Sequence, residues 1–90
     1  MRESVIETHL VKQVLKAGGL FRKLKWIGRR GAPDRFIALN RKVFLVEVKR
    51  PGETLEPHQK REHARLKAQG VNVVTVSTFE EVDNFIKENS

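Results

Sequence analysis

Apolar residues return every three to four positions at the start of the chain. Ile6, Leu10 and Val14 form one stripe, and Val11 and Leu15 widen it, which predicts a helix from about Ser4 to Ala17 with one buried face. Ser4 and Glu7 have the S-x-x-E spacing of a capping box, and Gly18-Gly19 ends the helix. The period then changes. Leu20 to Trp26 reads as a first strand at a sheet edge, followed by a loop, Gly28 to Pro33, whose glycines permit unusual backbone angles. Asp34 to Leu39 and Lys42 to Lys49 alternate as an antiparallel hairpin turning at Asn40-Arg41. Val43, Leu45 and Glu47 face one side of the second strand, while Phe44, Val46 and Val48 face the other. A strand apolar on both faces belongs in the middle of a sheet. Pro51-Gly52 stops it. Pro57 opens a second helix running to about Gln69, with Gly70 beyond its end, and Val71 to Val76 is a β-branched strand. Thr78 and Glu81 repeat the capping-box spacing before a last helix with Phe79, Val82, Phe85 and Ile86 inward.

The predicted order is α-β-β-β-α-β-α, an α/β fold with a central mixed four-stranded sheet flanked by helices. The β-α-β unit from Val43 to Val76 is expected to close as a right-handed parallel crossover. At 90 residues the chain is read as a single domain spanning residues 1–90. A domain this small buries only about 60–65% of its unfolded surface, so association of copies would be a natural supplement to its stability. The absence of cysteine excludes disulfides and thiolate zinc sites. No apolar run approaches the roughly 20 residues of a membrane span, and no signal-peptide core is visible at the N-terminus. A cytoplasmic protein is the expectation.

Charge sharpens this picture. The formal net charge is +7. Arg22, Lys23, Lys25, Arg29, Arg30, Arg35, Arg41 and Lys42 fall in one stretch against a single acid, Asp34, and the rest of the chain is neutral. Such clustering is the footprint of a polyanion partner. Solubility alone does not require it. Arg29 and Arg30 in the glycine-flanked loop, with Lys25 and Arg35 beside them, are expected to contact the phosphates of such a partner, DNA if the resemblance given below holds, giving salt-dependent affinity without sequence readout. Trp26 reads either as a base-stacking residue or as a core or dimer contact.

The candidate chemistry lies inside this basic stretch. Glu47 and Lys49 point to the same face of one strand, and Asp34 stands at the near end of its neighbour. Two carboxylates can hold a hard divalent cation, and a lysine beside them can steady an anion. Gly31-x-Pro33-Asp34, then Glu47-Val48-Lys49, then Leu55-x-Pro57-x-Gln59, in this order and on these elements, resembles the VRR-NUC family. That family is a branch of the PD-(D/E)xK nucleases with a restriction-endonuclease-like fold, and the compact form looks like its stand-alone phage and bacterial members.

The resemblance implies that Asp34 and Glu47 bind Mg²⁺ or Mn²⁺ directly, with the main-chain carbonyl of Val48 as a third oxygen. It implies that Lys49 holds the attacking water or stabilises charge on the phosphate, and that Gln59 hydrogen-bonds a catalytic group or phosphate. It also places an acid of the first helix near the metal. Glu7 is that candidate, with a helix cap as its other reading and Glu3 as the fallback. His9, His58 and His63 have no metal-ligand spacing and read as helix-face residues. The function implied is a metal-dependent endonuclease, structure-selective for branched DNA such as a Holliday junction and acting as a homodimer. A nuclease-like module that binds nucleic acid without cutting is the alternative, and a basic domain that mediates only protein assembly is a third.

Overall fold

A computed structural model describes residues 1–90. The elements are α1 (Glu3–Lys16), β1 (Leu20–Lys23), β2 (Arg35–Leu39), β3 (Lys42–Val48), α2 (Pro57–Ala68), β4 (Val73–Val76) and α3 (Phe79–Asn89). The strands form one sheet in the order β1-β2-β3-β4. β1 and β2 pair antiparallel, as do β2 and β3, whereas β3 and β4 are parallel. The mixed four-stranded sheet and three helices are those expected. β3, apolar on both faces, is central.

One face of the sheet makes the core. Ile37 and Leu39 of β2, Phe44, Val46 and Val48 of β3, and Val76 of β4 pack with Ile6, Leu10 and Val14 of α1 and with Val82 and Phe85 of α3. Phe44 and Phe85 meet edge to face at 5.0 Å between ring centroids. The opposite face of β3 carries Leu45 and Glu47, followed beyond the strand by Lys49, all buried. Strand alternation thus separates an apolar face, covered by α1 and α3, from a charged face next to α2.

Local chemistry explains most boundaries. Asn40 and Arg41 both take positive φ, 51° and 64°, the conformation required of a two-residue type I′ hairpin turn. The Thr78 hydroxyl accepts from the Glu81 backbone N–H at 3.0 Å, capping α3 as expected. Glu81 itself accepts from the N–H and hydroxyl of Ser77. The expected cap of α1 does not form. The helix begins one residue earlier, Arg2 is its N-cap, and Ser4 is already helical, its carbonyl accepting from the Thr8 hydroxyl at 2.9 Å. Phe79 is another departure. It is exposed rather than inward and stacks on the His9 ring at 4.3 Å, while His9 Nε2 lies 2.7 Å from Asp83, so α1 and α3 are joined at the surface as well as in the core. β1 is also shorter than expected. Past Lys23 its ladder continues only through the Leu24 N–H, which donates to the Asp34 carbonyl at 2.8 Å.

Candidate functional site

The β2–β3 register decides how the two carboxylates meet. Arg35 pairs with Val46 and Phe36 with Leu45. Continued by one residue, this register sets Asp34 opposite Glu47, and directly opposed residues in an antiparallel pair project to the same face. Lys49, two residues beyond Glu47, shares that face. Asp34, Glu47 and Lys49 therefore converge at one end of the sheet, as their spacing predicted.

Their electrostatics follow from burial and proximity. Glu47 is buried, and loss of water, followed by the negative charge of Asp34, pushes its carboxyl up to about 7; Lys49 and Arg35 offset part of this. Asp34 is open, its side chain 49% exposed. One carboxylate thus faces solvent while its neighbour is enclosed and reluctant to ionise.

The Asp34 backbone is pinned from several directions. Pro33 is fully buried. The Trp26 indole N–H donates to the Pro33 carbonyl at 2.7 Å. Gly31 takes a φ of +83°, and a Cβ there would sit 2.8 Å from the His58 carbonyl and 3.1 Å from Gln59 Cα. Only glycine lets this loop press against the first turn of α2. The Trp26–Pro33 hydrogen bond gives Trp26 a role that was not weighed from the sequence. It positions the strand entry that carries Asp34.

Arg35 corrects the expectation that it contacts DNA. Its side chain is 11% exposed, its Nε donates to Glu7 Oε1 at 2.6 Å, its NH1 pairs with Asp34, and Glu3 lies 4.0 Å away. Alternation along β2 turns Arg35 toward α1, beneath two acids of that helix, instead of toward solvent. Glu7 is consequently engaged. Burial raises its pKa, but Arg35 and Lys23, the latter at 3.6 Å, more than offset this and leave the carboxyl below its usual range. Glu7 is linked to Asp34 through Arg35. No group of three or more His, Cys, Asp or Glu side chains gathers closely enough to hold a metal ion, so Glu7 does not complete such a set.

Gln59 lies near the site through the contact of its backbone with Gly31, but its side-chain oxygen accepts from the Glu56 N–H at 2.9 Å and caps α2. The more informative residue on this helix is one turn on. His63 is buried, with Nε2 3.8 Å from Glu47 Oε1 and lacking a hydrogen-bond partner. Burial, then the charges of Lys67 and Lys49, lower its pKa, which disfavours an imidazolium beside Glu47. The i, i+4 relation of Gln59 and His63 was visible in the sequence as a shared helix face. That this face meets Glu47 was not.

The positive charge divides in space. Arg41 in the hairpin turn and Lys42 at the start of β3 lie at the far end of β2 from Asp34, roughly 15–20 Å away for five strand residues. Arg22 donates to the adjacent Phe21 carbonyl, and Lys23 and Arg35 are paired with acids. Lys25, Arg29 and Arg30 are the exposed cations on the Asp34 loop, with Arg29 3.7 Å from the buried carboxylate of Glu62. The expectation that the whole positive excess surrounds Asp34 is corrected accordingly.

A solved structure described as a VRR_NUC domain superposes on this chain with a TM-score of 0.87 and 39% sequence identity, covering 94% of both chains. The chain is also 51% identical, over 79 residues, to a protein of Acyrthosiphon pisum secondary endosymbiont phage 1 named "Putative nuclease p44". That match spans 87% of this chain and 85% of the phage protein. The chain belongs to the VRR-NUC family. No protein-family model matches it. Membership agrees with the fold built above, a restriction-endonuclease-like nuclease fold, and it gives the Asp34, Glu47 and Lys49 arrangement a VRR-NUC setting. No helix is long and apolar enough to cross a membrane.

Proposed function

We propose that this VRR-NUC chain is a divalent-metal-dependent DNA endonuclease that hydrolyses phosphodiester bonds in branched DNA such as Holliday junctions. In this reading it works as a homodimer in the cytoplasm of a bacterial or phage-infected cell. The observation that carries the reading is the convergence of Asp34, Glu47 and Lys49 on one face at the open end of β2 and β3.

The donor set fits a hard cation. Two carboxylates and a main-chain carbonyl supply oxygen ligands only, and Mg²⁺ uses one or two carboxylates while keeping several waters. The Glu47 carboxyl is raised first by loss of water and then by the charge of Asp34, and a cation held between the two would offset the second of these. Held by Asp34, Glu47 and the Val48 carbonyl, Mg²⁺ or Mn²⁺ would make a bound water acidic and polarise the scissile phosphate. Lys49 places an ammonium beside these groups, to hold the attacking water or stabilise charge building on the phosphate. Glu7 acts as a positioning residue: it fixes Arg35, which in turn fixes Asp34. Gln59, its oxygen used in the cap, retains its amide N–H groups for a phosphate oxygen. Lys25, Arg29 and Arg30 grip the flanking phosphates.

Two active sites related by a twofold axis would address two strands of a junction. Exposed apolar side chains along and beside α1, namely Val5, Leu15 and Phe79, support an interface there. A monomeric mass by light scattering at micromolar concentration would refute the dimer.

The deciding experiment is a cleavage panel of four-way junction, flap and plain duplex DNA with Mn²⁺. Junction cleavage is expected, with Lys49→Ala and Asp34→Asn each losing about a hundredfold or more. Binding without cleavage under any divalent ion would make the chain a binding module. Cleavage that survives both substitutions would mean that the site lies elsewhere.

A further inference from the structure

Ile27 is 94% exposed, the largest exposure of any large apolar side chain in the protein. A single exposed apolar residue is ordinary. The setting of this one is not. Ile27 lies on the loop between β1 and β2, beside Trp26 and among the exposed cations Lys25, Arg29 and Arg30. The loop is braced. The Leu24–Asp34 hydrogen bond at 2.8 Å closes its base, the Trp26 indole is fastened to the Pro33 carbonyl at 2.7 Å, and Arg29 leans on Glu62 of α2 at 3.7 Å. Gly28 follows with a φ of +75°, reversing the chain just after Ile27. An isoleucine is thus held out in water on a fixed support whose base is Asp34.

We propose that Ile27 is an apolar wedge that enters a base step at the branch point of a DNA substrate, so that this loop selects structured DNA. The proposal rests on the nuclease reading and names the part of the chain that confers its substrate preference. Nothing within the protein covers Ile27, so its hydrophobic free energy is recovered only against a partner. The surrounding cations select a polyanion. A second copy of this chain meeting the loop across a twofold axis would set Arg29 and Arg30 against the same like charges, which opposes that occupant. Apolar side chains set among basic ones enter DNA between base steps and unstack them. In intact duplex the wedge must break a stack. At a branch the stack is already interrupted, so insertion costs less there and a preference for structure follows without any base-edge contact. The short reach from loop to Asp34 would then set the scissile phosphate close to the branch.

A four-way junction carrying 2-aminopurine beside the branch, without added divalent ion, tests this. Wild type and Ile27→Leu are expected to raise the 2-aminopurine fluorescence on binding. Ile27→Ser is expected not to, and its preference for junction over plain duplex should fall about tenfold, the scale of losing one buried aliphatic side chain. The substituted side chain is exposed, so an unchanged melting temperature should accompany the loss. Junction preference and fluorescence equal to wild type in Ile27→Ser, with salt-dependent binding and cleavage retained, would overturn the wedge and leave the nuclease intact. A wild-type protein that neither binds nor cuts any DNA would overturn the nuclease reading itself. A change in sedimenting mass for Ile27→Ser would make Ile27 a contact between copies and overturn the wedge.

Discussion

Glu47 carries the chain's largest electrostatic tension, and its sign is testable. Its folded-state pKa, about 7, lies above the 4.5 of an unperturbed carboxyl. Between these values the folded protein binds more protons than the unfolded chain, so stability falls as pH rises through that window. The favourable contribution is full below about pH 4.5 and lost above 7. Glu47→Gln cannot ionise and should keep it. Without metal, the stability of this variant relative to wild type should rise by on the order of 2–3 kcal/mol from pH 4.5 to pH 8. Urea denaturation at the two pH values measures this, and a pH-independent gap would contradict it. Trp26 gives a second prediction. Trp26→Phe keeps a ring but leaves the Pro33 carbonyl without its donor, a loss of about 1–2 kcal/mol in stability. Because the bond fixes the residue before Asp34, cleavage rate should fall further than stability does. The sequence held Trp26 and Glu47 in plain view. Their roles depend on which atoms lie near them, and side-chain periodicity does not encode that.

At the scale of elements, the loop from Gly28 to Pro33 and the first turn of α2 act together. Gly31→Ala would place a Cβ at 2.8 Å from the His58 carbonyl while also straining a positive φ. A cost of about 1–3 kcal/mol is expected, with lowered activity, since the displaced segment leads into Asp34. Thr78→Ala provides the contrast. It removes the α3 cap on the far side of the core and should cost about 1 kcal/mol while cleavage by the folded protein is unchanged. Thermal melting alongside cleavage rates separates the two cases. Most elements were legible because their periodicity and punctuation agree: the Ile6, Leu10, Val14 stripe, the apolar run of β3, the Pro57 start and the Thr78 cap. The Ser4–Glu7 cap was a false signal. The same spacing occurs inside a helix, and Glu7 is drawn to Arg35, a strand residue 28 positions away that no local rule can find.

At the scale of the whole molecule, the spatial division of charge predicts a division of effects. Removing Lys25 or Arg30 by alanine substitution should weaken DNA binding broadly and reduce its salt dependence by about one unit each. Arg41→Ala and Lys42→Ala, at the far end of β2, should change that slope much less. Binding titrations across a range of salt concentrations test this; equal slopes for both groups would mean that DNA runs along the whole hairpin. In sequence these cations form one cluster. In the fold, the length of β2 carries two of them to the opposite end, and acids of α1 neutralise two more.

The sequence by itself determined the element order, the central place of β3, the hairpin turning at Asn40-Arg41 and the convergence of Asp34, Glu47 and Lys49. Each of these follows from a short-range rule: helical period, strand alternation, turn chemistry, or register across one tight hairpin. Tertiary structure alone decided that Arg35 turns inward to Glu7, that His63 comes to rest against Glu47, that Trp26 holds the entry to β2, and that Ile27 is left outside. These depend on how α1 and α2 settle against the sheet. That packing is set by the summed burial of many side chains, and no spacing within a single segment records its outcome.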